Sequence, residues 1–340
     1  AANSANSGSY IWPANAVVSA VDNITPAARV RISDVNDLDS ANVSAASFII
    51  RAGFTLDPTI GSVPLEVGKT YDIIWTKKGN ISQVKLQYSP DNFFADIRDI
   101  EDLSGVTIAG GLIPNQGDVL KGDGPTTGRH VWKVPDIEAI KADTVRLRIA
   151  DPNDPAANNI SNVFRIIPSF TLTAPNGNAD VNLTQKLKVG IPYTITWSST
   201  SSNVVNKTPN VKLLYSTTGG APYTKVITTT ANSGSYSWVS ANGGVPDDIS
   251  AQARIRVEDP NDSTAFDESD YNFKIISNLT MTNPDAANPA PYEVGDPLTI
   301  TWGKVGSAAN VELAYSIASS DFSSAVIFAL TTPNNGSYSW

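Results

Sequence analysis

Three copies of one acidic string are the residues of this chain best suited to chemistry: Asp34, Asn36 and Asp37; Asp151, Asn153 and Asp154; and Asp259, Asn261 and Asp262, each a D-x-N-D run. Clustered carboxylates with an amide carbonyl among them are the oxygen donors that a hard cation such as Ca2+ takes. The same residues also make ordinary turns, because Asp and Asn side chains bond backbone N–H groups two residues on. The string therefore has two readings, cation site or turn. In the third copy Asp267, Glu268 and Asp270 follow as additional oxygen donors.

A pair of arginines precedes each string: Arg29 and Arg31, Arg146 and Arg148, Arg254 and Arg256. Their i, i+2 spacing puts both on one face of a strand. Lys85, Arg165, Lys212 and Lys274 fall on the same face if the alternation of the neighbouring strands is followed. Such a cationic face docks an anionic neighbour or an acidic glycan, or it is a solvated face that protects a sheet edge. Both readings stand at this level.

Catalytic constellations are harder to build. His130 is the only histidine and has no serine or acid near it in sequence as a recognisable partner, so a histidine-based triad has no counterpart in other parts of the chain. No carboxylate pair stands in the strand-end context of a glycosidase. There is no cysteine, which removes disulfides and thiolate metal sites. The chain reads as non-enzymatic, with no cofactor beyond the calcium reading of the acidic strings.

The elements that carry these residues are short strands. In the clearest stretch Tyr193, Ile195 and Trp197 alternate with Thr194 and Thr196. Val211, Leu213 and Tyr215 follow, then Tyr236 and Trp238, then Ala253, Ile255 and Val257 between Arg254 and Arg256, then Phe273 and Ile275. Apolar residues at every second position predict half-buried strands, and no long amphipathic helix is visible. Gly68, Gly190 and Gly295 each stand seven residues before a strand tryptophan, where a positive φ or a tight reversal is expected.

The tryptophans show that this pattern repeats. Trp12, Trp132, Trp238 and Trp340 close GSYIW, GRHVW, GSYSW and GSYSW, whereas Trp75, Trp197 and Trp302 close YDIIW, YTITW and LTITW. The steps from the first series to the second are 63, 65 and 64 residues; the steps back are 57, 41 and 38. Length variation is confined to the middle of the unit, and the junction between units is held constant. All seven tryptophans sit on the apolar phase of their strands and are expected in the core.

A period of roughly 105 to 120 residues gives about three domain equivalents in 340 residues, each of a size that folds around its own core. The predicted fold is all-β: tandem immunoglobulin-like antiparallel β-sandwiches of about seven strands each. The predicted organisation is residues 1–50 as the C-terminal part of a repeat, 51–167 and 168–276 as complete repeats, and 277–340 as the N-terminal part of another. Extra length in the first complete repeat falls near 100–129, a Gly-rich stretch with Gly110, Gly111, Gly122 and Gly124. An extended loop or added hairpin is expected there, and a repeat-specific contact with it.

Lys and Arg total 24 against 33 Asp and Glu, a net charge of −9, which argues against nucleic acid and anionic membranes as partners. The longest apolar run, 325–330, is far short of the roughly 20 residues of a membrane span. Abundant Asn, Ser, Thr, Gly and Pro suit an extracellular protein, cell-surface or secreted. Nine Asn-x-Ser/Thr strings, including Asn80, Asn159, Asn206 and Asn335, only slightly exceed chance for this composition.

Taken together, YTITW, VKLLYS, GSYSWVS, ARIRVEDPND and SDYNFKI resemble the bacterial immunoglobulin-like repeats related to the fungal Ser/Thr-rich GPI-anchored cell-wall family, the yeast cell wall synthesis KNH-like proteins. The resemblance spans nearly the whole chain and departs from the pattern at GRHVW. It implies an immunoglobulin-like fold and a module of a cell-surface, cell-wall or secreted protein. Its motifs are mostly core and turn residues, so it speaks to fold more than to function.

Residues 1–50 and 277–340 each supply half a sandwich, which cannot bury its apolar face alone. Either the chain is a window on a longer array, or one chain's tail completes the next chain's head in a head-to-tail polymer. The expected function is a stiff tandem array in a surface fibre, sheath or lattice. Its partners would be copies of itself, adjacent repeats, and in some settings glycans. The alternative is an adhesin or glycan-binding stalk stabilised by calcium; a third is the accessory region of a secreted hydrolase.

Overall fold

The computed structural model describes residues 5–11, 24–136, 143–200, 208–241, 243–284, 291–317 and 322–340. Trp12 and the Asn206 string lie outside them. The described chain is a series of β-sandwiches and divides into two units, 1–168 and 169–340.

In the first unit, the sandwich of residues 51–167 packs two sheets face to face. One is three-stranded, with Thr70–Lys78 between Gly53–Leu56 and Thr127–Lys133, all antiparallel. The other runs Leu112–Pro114, Gln83–Ser89, Arg146–Ala150, Asn158–Ile160, with Arg98–Asp99 also on Gln83–Ser89. Apolar residues at alternate positions face inward: Ile73, Trp75, Val84, Leu86, Tyr88, Trp132, Val145, Leu147 and Ile149 are fully buried in one cluster. Each tryptophan there buries on the order of 150–250 Å², about 4–6 kcal/mol of transfer free energy apiece.

The second unit repeats the arrangement. Tyr193–Ser199 lies between Phe170–Ala174 and Ser235–Trp238, and the facing sheet runs Lys186–Lys188, Phe273–Ile276, Ser250–Asp259, Asn210–Ser216, Lys225–Ala231, with Asp262–Glu268 on Ser250–Asp259. Trp197, Trp238, Ile195, Val211, Leu213, Ile255, Val257 and Phe273 are buried. The architecture is tandem immunoglobulin-like β-sandwiches.

Two details depart from the expectation. Among the described residues the complete repeats carry ten and nine short strands, because the acidic string opens a hairpin with its own return strand, Asn158–Ile160 or Asp262–Glu268, and further strands, Arg98–Asp99 and Leu112–Pro114 or Lys225–Ala231, add to the V-x-L-x-Y strand. A short strand ahead of the tryptophan strand crosses to the facing sheet and runs parallel to the last strand: Leu65–Glu66 beside Ile166–Ile167, and Lys186–Lys188 beside Phe273–Ile276. Alternation of apolar residues says which face is buried but not which strand is adjacent, so this crossing leaves no mark on the pattern.

The glycines before the tryptophan strands behave as expected. Gly68, Gly190 and Gly295 have φ of 78°, 77° and 99°, a region that favours glycine. Gly68 N–H donates to Val134 O at 2.8 Å and Gly190 N–H to Val245 O at 2.9 Å, tying the turn to the chain just after Trp132 and Trp238.

The stretch near 100–129 is not a plain loop. Glu101 and Thr107 form an antiparallel bridge, Leu112–Pro114 adds to the edge of Gln83–Ser89, and short 3-10 turns occupy Ala109–Gly111 and Val119–Lys121. Residues 24–50 form two small hairpin pairs, Thr25–Ala28 with Phe48–Ile50 and Arg31–Ser33 with Ala41–Val43. Residues 278–339 form Asn278–Asn283, Thr299–Val305, Ser337–Ser339 and a separate pair, Asn310–Tyr315 with Val326–Pro333. Trp340 departs from the core expectation: it is about half exposed, stacked on Phe328 at 4.3 Å.

Candidate functional site

Each D-x-N-D string lies in the hairpin that follows the arginine strand, and all three copies make the same bonds. The first aspartate's Oδ1 accepts the backbone N–H of the asparagine: Asn36 to Asp34 at 2.8 Å, Asn153 to Asp151 at 2.8 Å, Asn261 to Asp259 at 2.9 Å. The last aspartate's Oδ1 accepts the N–H two residues on: Asp39 to Asp37 at 3.1 Å, Ala156 to Asp154 at 3.2 Å, Thr264 to Asp262 at 3.1 Å. The string is two consecutive Asx turns. Asp151 and Asp259 are buried by the hairpin they close.

The structure therefore puts these residues to use as turns, not as a converging ligand set. Among the described residues no three His, Cys, Asp or Glu side chains come together in a manner that could hold a metal ion. Asp267, Glu268 and Asp270 point to separate partners: Leu172 N–H donates to Asp267 Oδ2 at 2.6 Å, Tyr223 Oη to Glu268 Oε2 at 2.9 Å, and Asn176 Nδ2 to Asp270 Oδ2 at 2.7 Å.

The arginine pairs are also engaged inside their own repeats. The first of each pair donates from a terminal nitrogen to the carbonyl fifteen residues on: Arg29 to Ser44 O at 3.3 Å, Arg146 to Ser161 O at 2.9 Å, Arg254 to Ser269 O at 3.1 Å. The second holds the hairpin made by the acidic string, with Arg31 on Leu38 O and Arg256 on Ser263 O, both at 2.7 Å. Arg148 instead donates to Gln87 Oε1 at 2.6 Å and lies 4.4 Å from the Phe93 ring centroid. Arg256 lies 3.6 Å from the Phe266 centroid and 3.1 Å from Glu258 Oε2. The guanidinium groups clamp carbonyls and rings of the same sandwich.

Two recurring constellations were missed in the sequence. The serine whose carbonyl the first arginine holds also accepts, through Oγ, the backbone N–H of the residue between the two arginines: Val30 to Ser44 at 3.3 Å, Leu147 to Ser161 at 2.9 Å, Ile255 to Ser269 at 3.0 Å. Ser269 Oγ in turn donates to Pro175 O at 2.8 Å. The serine of the S-x-x-(x)-F string was the available signal.

The second is an asparagine under each strand tryptophan. Trp75 Nε1 donates to Asn115 Oδ1 at 2.9 Å, Trp197 Nε1 to Asn232 Oδ1 at 2.7 Å, Trp302 Nε1 to Asn334 Oδ1 at 2.7 Å. Each amide nitrogen then donates to a carbonyl across the turn: Ile81 at 2.9 Å, Thr208 at 3.2 Å, Ala308 at 2.8 Å. Asn232 and Asn334 stand six residues before Trp238 and Trp340, whereas the extra chain of the first repeat displaces Asn115 from that position.

His130 does not belong to a catalytic arrangement. Its Nε2 lies 2.7 Å from the backbone oxygen of Glu101, and burial pushes its imidazole below its ordinary pKa. The Glu101 carboxylate accepts Tyr88 Oη at 2.8 Å and Trp132 Nε1 at 2.7 Å; burial pushes it above its ordinary value. Tyr88, Trp132 and Glu101 are sealed from solvent, so the acid anchors core donors and meets no substrate. In the next repeat the partly exposed Asp248 accepts Tyr215 Oη and pairs with Lys225.

The extra chain is fixed by charge. Arg129 bonds Asp123 through Nε at 2.7 Å and Asp72 at 2.8 Å, and Lys121 bonds Asp72 at 2.9 Å. The Arg129 bond holds Asp123 at a pKa of about 2. The clamp leaves Val119 and Leu120 exposed at the tip.

Within each unit, contacts between successive segments lie four or five residues past a strand tryptophan. A Cβ added to Gly79, whose φ is 91°, would meet Ile24 Cδ1 at 2.7 Å. Asp247 Oδ1 also accepts Ser307 N at 2.9 Å and Ser307 Oγ at 3.1 Å.

No family model matches the sequence, and no curated protein does. Among solved structures the chain is similar to fibronectin(III)-like modules of Clostridium thermocellum CbhA, at 16% identity over 65% of this chain and 94% of that one, with a TM-score of 0.22. It is similar to domains A168-A170 from titin at 10% identity, 85% and 87% coverage and a TM-score of 0.27. It is similar to the N-terminal four Ig domains of Dscam1 at 11% identity, 88% and 69% coverage and a TM-score of 0.21.

Proposed function

We propose that the chain is a non-enzymatic, extracellular structural protein: a stiff tandem array of immunoglobulin-like domains forming part of a surface fibre, sheath or lattice. One observation carries the reading. The side chains that recur with every period and have chemistry to offer, the aspartates, arginines, serines and asparagines described above, recur with the same intra-repeat bonds. What the repeat preserves is its own shape. The contact of Gly79 with Ile24 of the preceding segment and the bonds of Asp247 to Ser307 of the following one support a fixed junction, as does the near-constant 63 to 65 residue step between tryptophans. The resemblance to cell-wall repeats supports a surface or secreted setting.

An adhesin or glycan-binding stalk is the second reading, favoured by the exposed Val119 and Leu120 on the charge-clamped extra chain of the first complete repeat. Electron microscopy of the native material separates the two. Ordered filaments or sheets support the structural role; single dispersed particles overturn it.

A further inference from the structure

We propose that the outward face of the Gln83–Ser89 and Arg146–Ala150 pair, in the first complete repeat, binds an acidic polysaccharide. The inference rests on the glycan-binding reading above and gives it a place and a ligand class.

The two complete repeats present the same strand pair with different charge. In the second repeat the register sets Lys212 opposite Glu258 and Arg256 opposite Glu268. Glu258 lies 3.2 Å from Lys212 and 3.1 Å from Arg256, and Glu268 lies 3.8 Å from Arg256, so these cations are neutralised where they stand. In the first repeat Lys85 lies opposite Ala150 and Arg148 opposite Ile160. Alanine and isoleucine take the places of the two glutamates. Among the described residues Lys85, Arg146 and Arg148 have no ion-pair partner: Arg146 holds the Ser161 carbonyl and Arg148 the neutral amide of Gln87. Asp99, the one carboxylate at an outward position of this sheet among the described residues, accepts Gln87 Nε2 at 2.9 Å. Burial pushes the Arg148 guanidinium below its ordinary pKa, as expected of a charge drawn from water with no carboxylate to offset the loss.

The surroundings of these charges define the occupant. Both edges of Gln83–Ser89 and of Arg146–Ala150 are paired, so a ligand meets side chains and cannot add as a strand. Arg146 and Arg148 stand about 7 Å apart along their strand, and Lys85 lies diagonally across from Arg148, about 7–8 Å away. An extended chain with regularly spaced anionic groups matches such a row. Beside it the backbone is strained: Asn92 and Phe93 have φ of 61° and 63°, the only positive values outside glycine among the described residues. Such geometry is costly for a phenylalanine and persists where its surroundings impose it. Here the Asp91 carboxylate accepts the N–H groups of Phe94, Ala95 and Asp96, and Ser89 Oγ accepts that of Phe93. The turn sets the Phe93 ring centroid 4.4 Å from the Arg148 guanidinium and leaves Phe94 91% exposed. An exposed ring next to unneutralised cations offers a sugar both of its contacts. The C–H face of a pyranose packs on the ring, and its carboxylate or sulfate meets a guanidinium. A polyglutamate chain uses the charges and leaves the ring idle.

Calorimetric titration of the full chain with polygalacturonate at low ionic strength tests this, with dextran and poly-L-glutamate as controls. Polygalacturonate should bind, dextran should not, and polyglutamate should bind at least about tenfold more weakly. Absent binding of polygalacturonate overturns the proposal; equal binding of dextran overturns the role of charge, and equal binding of polyglutamate points to an acidic peptide instead and overturns the sugar. A150E/I160E gives the first repeat the carboxylates that the second carries. It should keep the wild-type melting temperature and weaken polygalacturonate binding at least about tenfold. T171E/T194E adds the same charge to the three-stranded sheet of the second repeat and should bind as wild type; equal losses in the two variants overturn the site. F94A, at an exposed ring, should weaken binding about three- to tenfold, and an unchanged affinity overturns the assignment of a sugar. Undiminished binding by A150E/I160E removes this face and leaves a glycan-binding stalk standing.

Discussion

Replacing Asn115 with alanine should unfold the 51–167 sandwich early, and the size of the effect follows from two bonds. The Trp75 indole is fully buried and its N–H donates to Asn115 Oδ1 at 2.9 Å. Leaving a buried donor unmade costs about 1–3 kcal/mol. The same substitution frees the Ile81 carbonyl, which lies near the surface and regains water, so that loss adds little. A total of about 1–3 kcal/mol lowers the Tm of a domain of this size by roughly 3–12 °C. Calorimetry of the full chain reads this as displacement of one transition while the others stay in place. A double-mutant cycle isolates the bond: in a W75F background no indole N–H remains to be orphaned, and N115A should then cost less than about 1 kcal/mol. An equal cost in both backgrounds, or a cost below about 0.5 kcal/mol in the wild-type background, would refute the latch.

Three further outcomes follow from the same geometry. S269A removes a buried hydroxyl that accepts Ile255 N–H and donates to Pro175 O and should destabilise by about 1–3 kcal/mol; S44A, at the corresponding position near the surface, should change the unfolding midpoint far less, and equal effects would contradict the role of burial. Glu101 has a folded pKa raised above its ordinary 4.5 by desolvation, so the folded state retains a proton that the unfolded chain releases. Stability from this group is full below that ordinary value and declines as pH rises through the folded one. The difference in unfolding midpoint between wild type and E101Q should therefore shrink with rising pH, and His130, pushed the other way by burial, is common to both; a pH-independent difference would contradict it. Because the acidic strings act as turns, EDTA and added Ca2+ should leave the melting temperature unchanged, and a clear drop with EDTA would reinstate the cation reading.

Much of the fold was legible because burial imposes period two on the strands: the inward positions of Tyr193–Ser199 and Ser250–Asp259 alternate as written, and Gly68, Gly190 and Gly295 mark left-handed turns by residue type alone. The parallel strand crossing at Leu65 and Leu187 was not legible, since alternation names a face and not a neighbour. The two readings of the acidic strings and of the arginine face stay open in the sequence for a related reason. Residue types show that Asp34, Asp151 and Asp259 bear oxygens and that the arginines bear charge, but their partners are backbone N–H and C=O groups, which every sequence has everywhere. Ser161 and Ser269 went unnoticed on the same ground. Asn232 and Asn334 have a fixed distance to their tryptophans, but the extra chain carries Asn115 out of that position and hides the series. Trp340 follows the apolar phase as the others do, yet it is about half exposed; among the described residues the second sheet of 278–340 holds only Asn310–Tyr315 and Val326–Pro333.

Imaging the native assembly by electron microscopy tests the structural role most directly. Filaments or sheets built from a regular succession of sandwich domains are the expected result, and a monodisperse population of isolated, flexibly jointed molecules would contradict it.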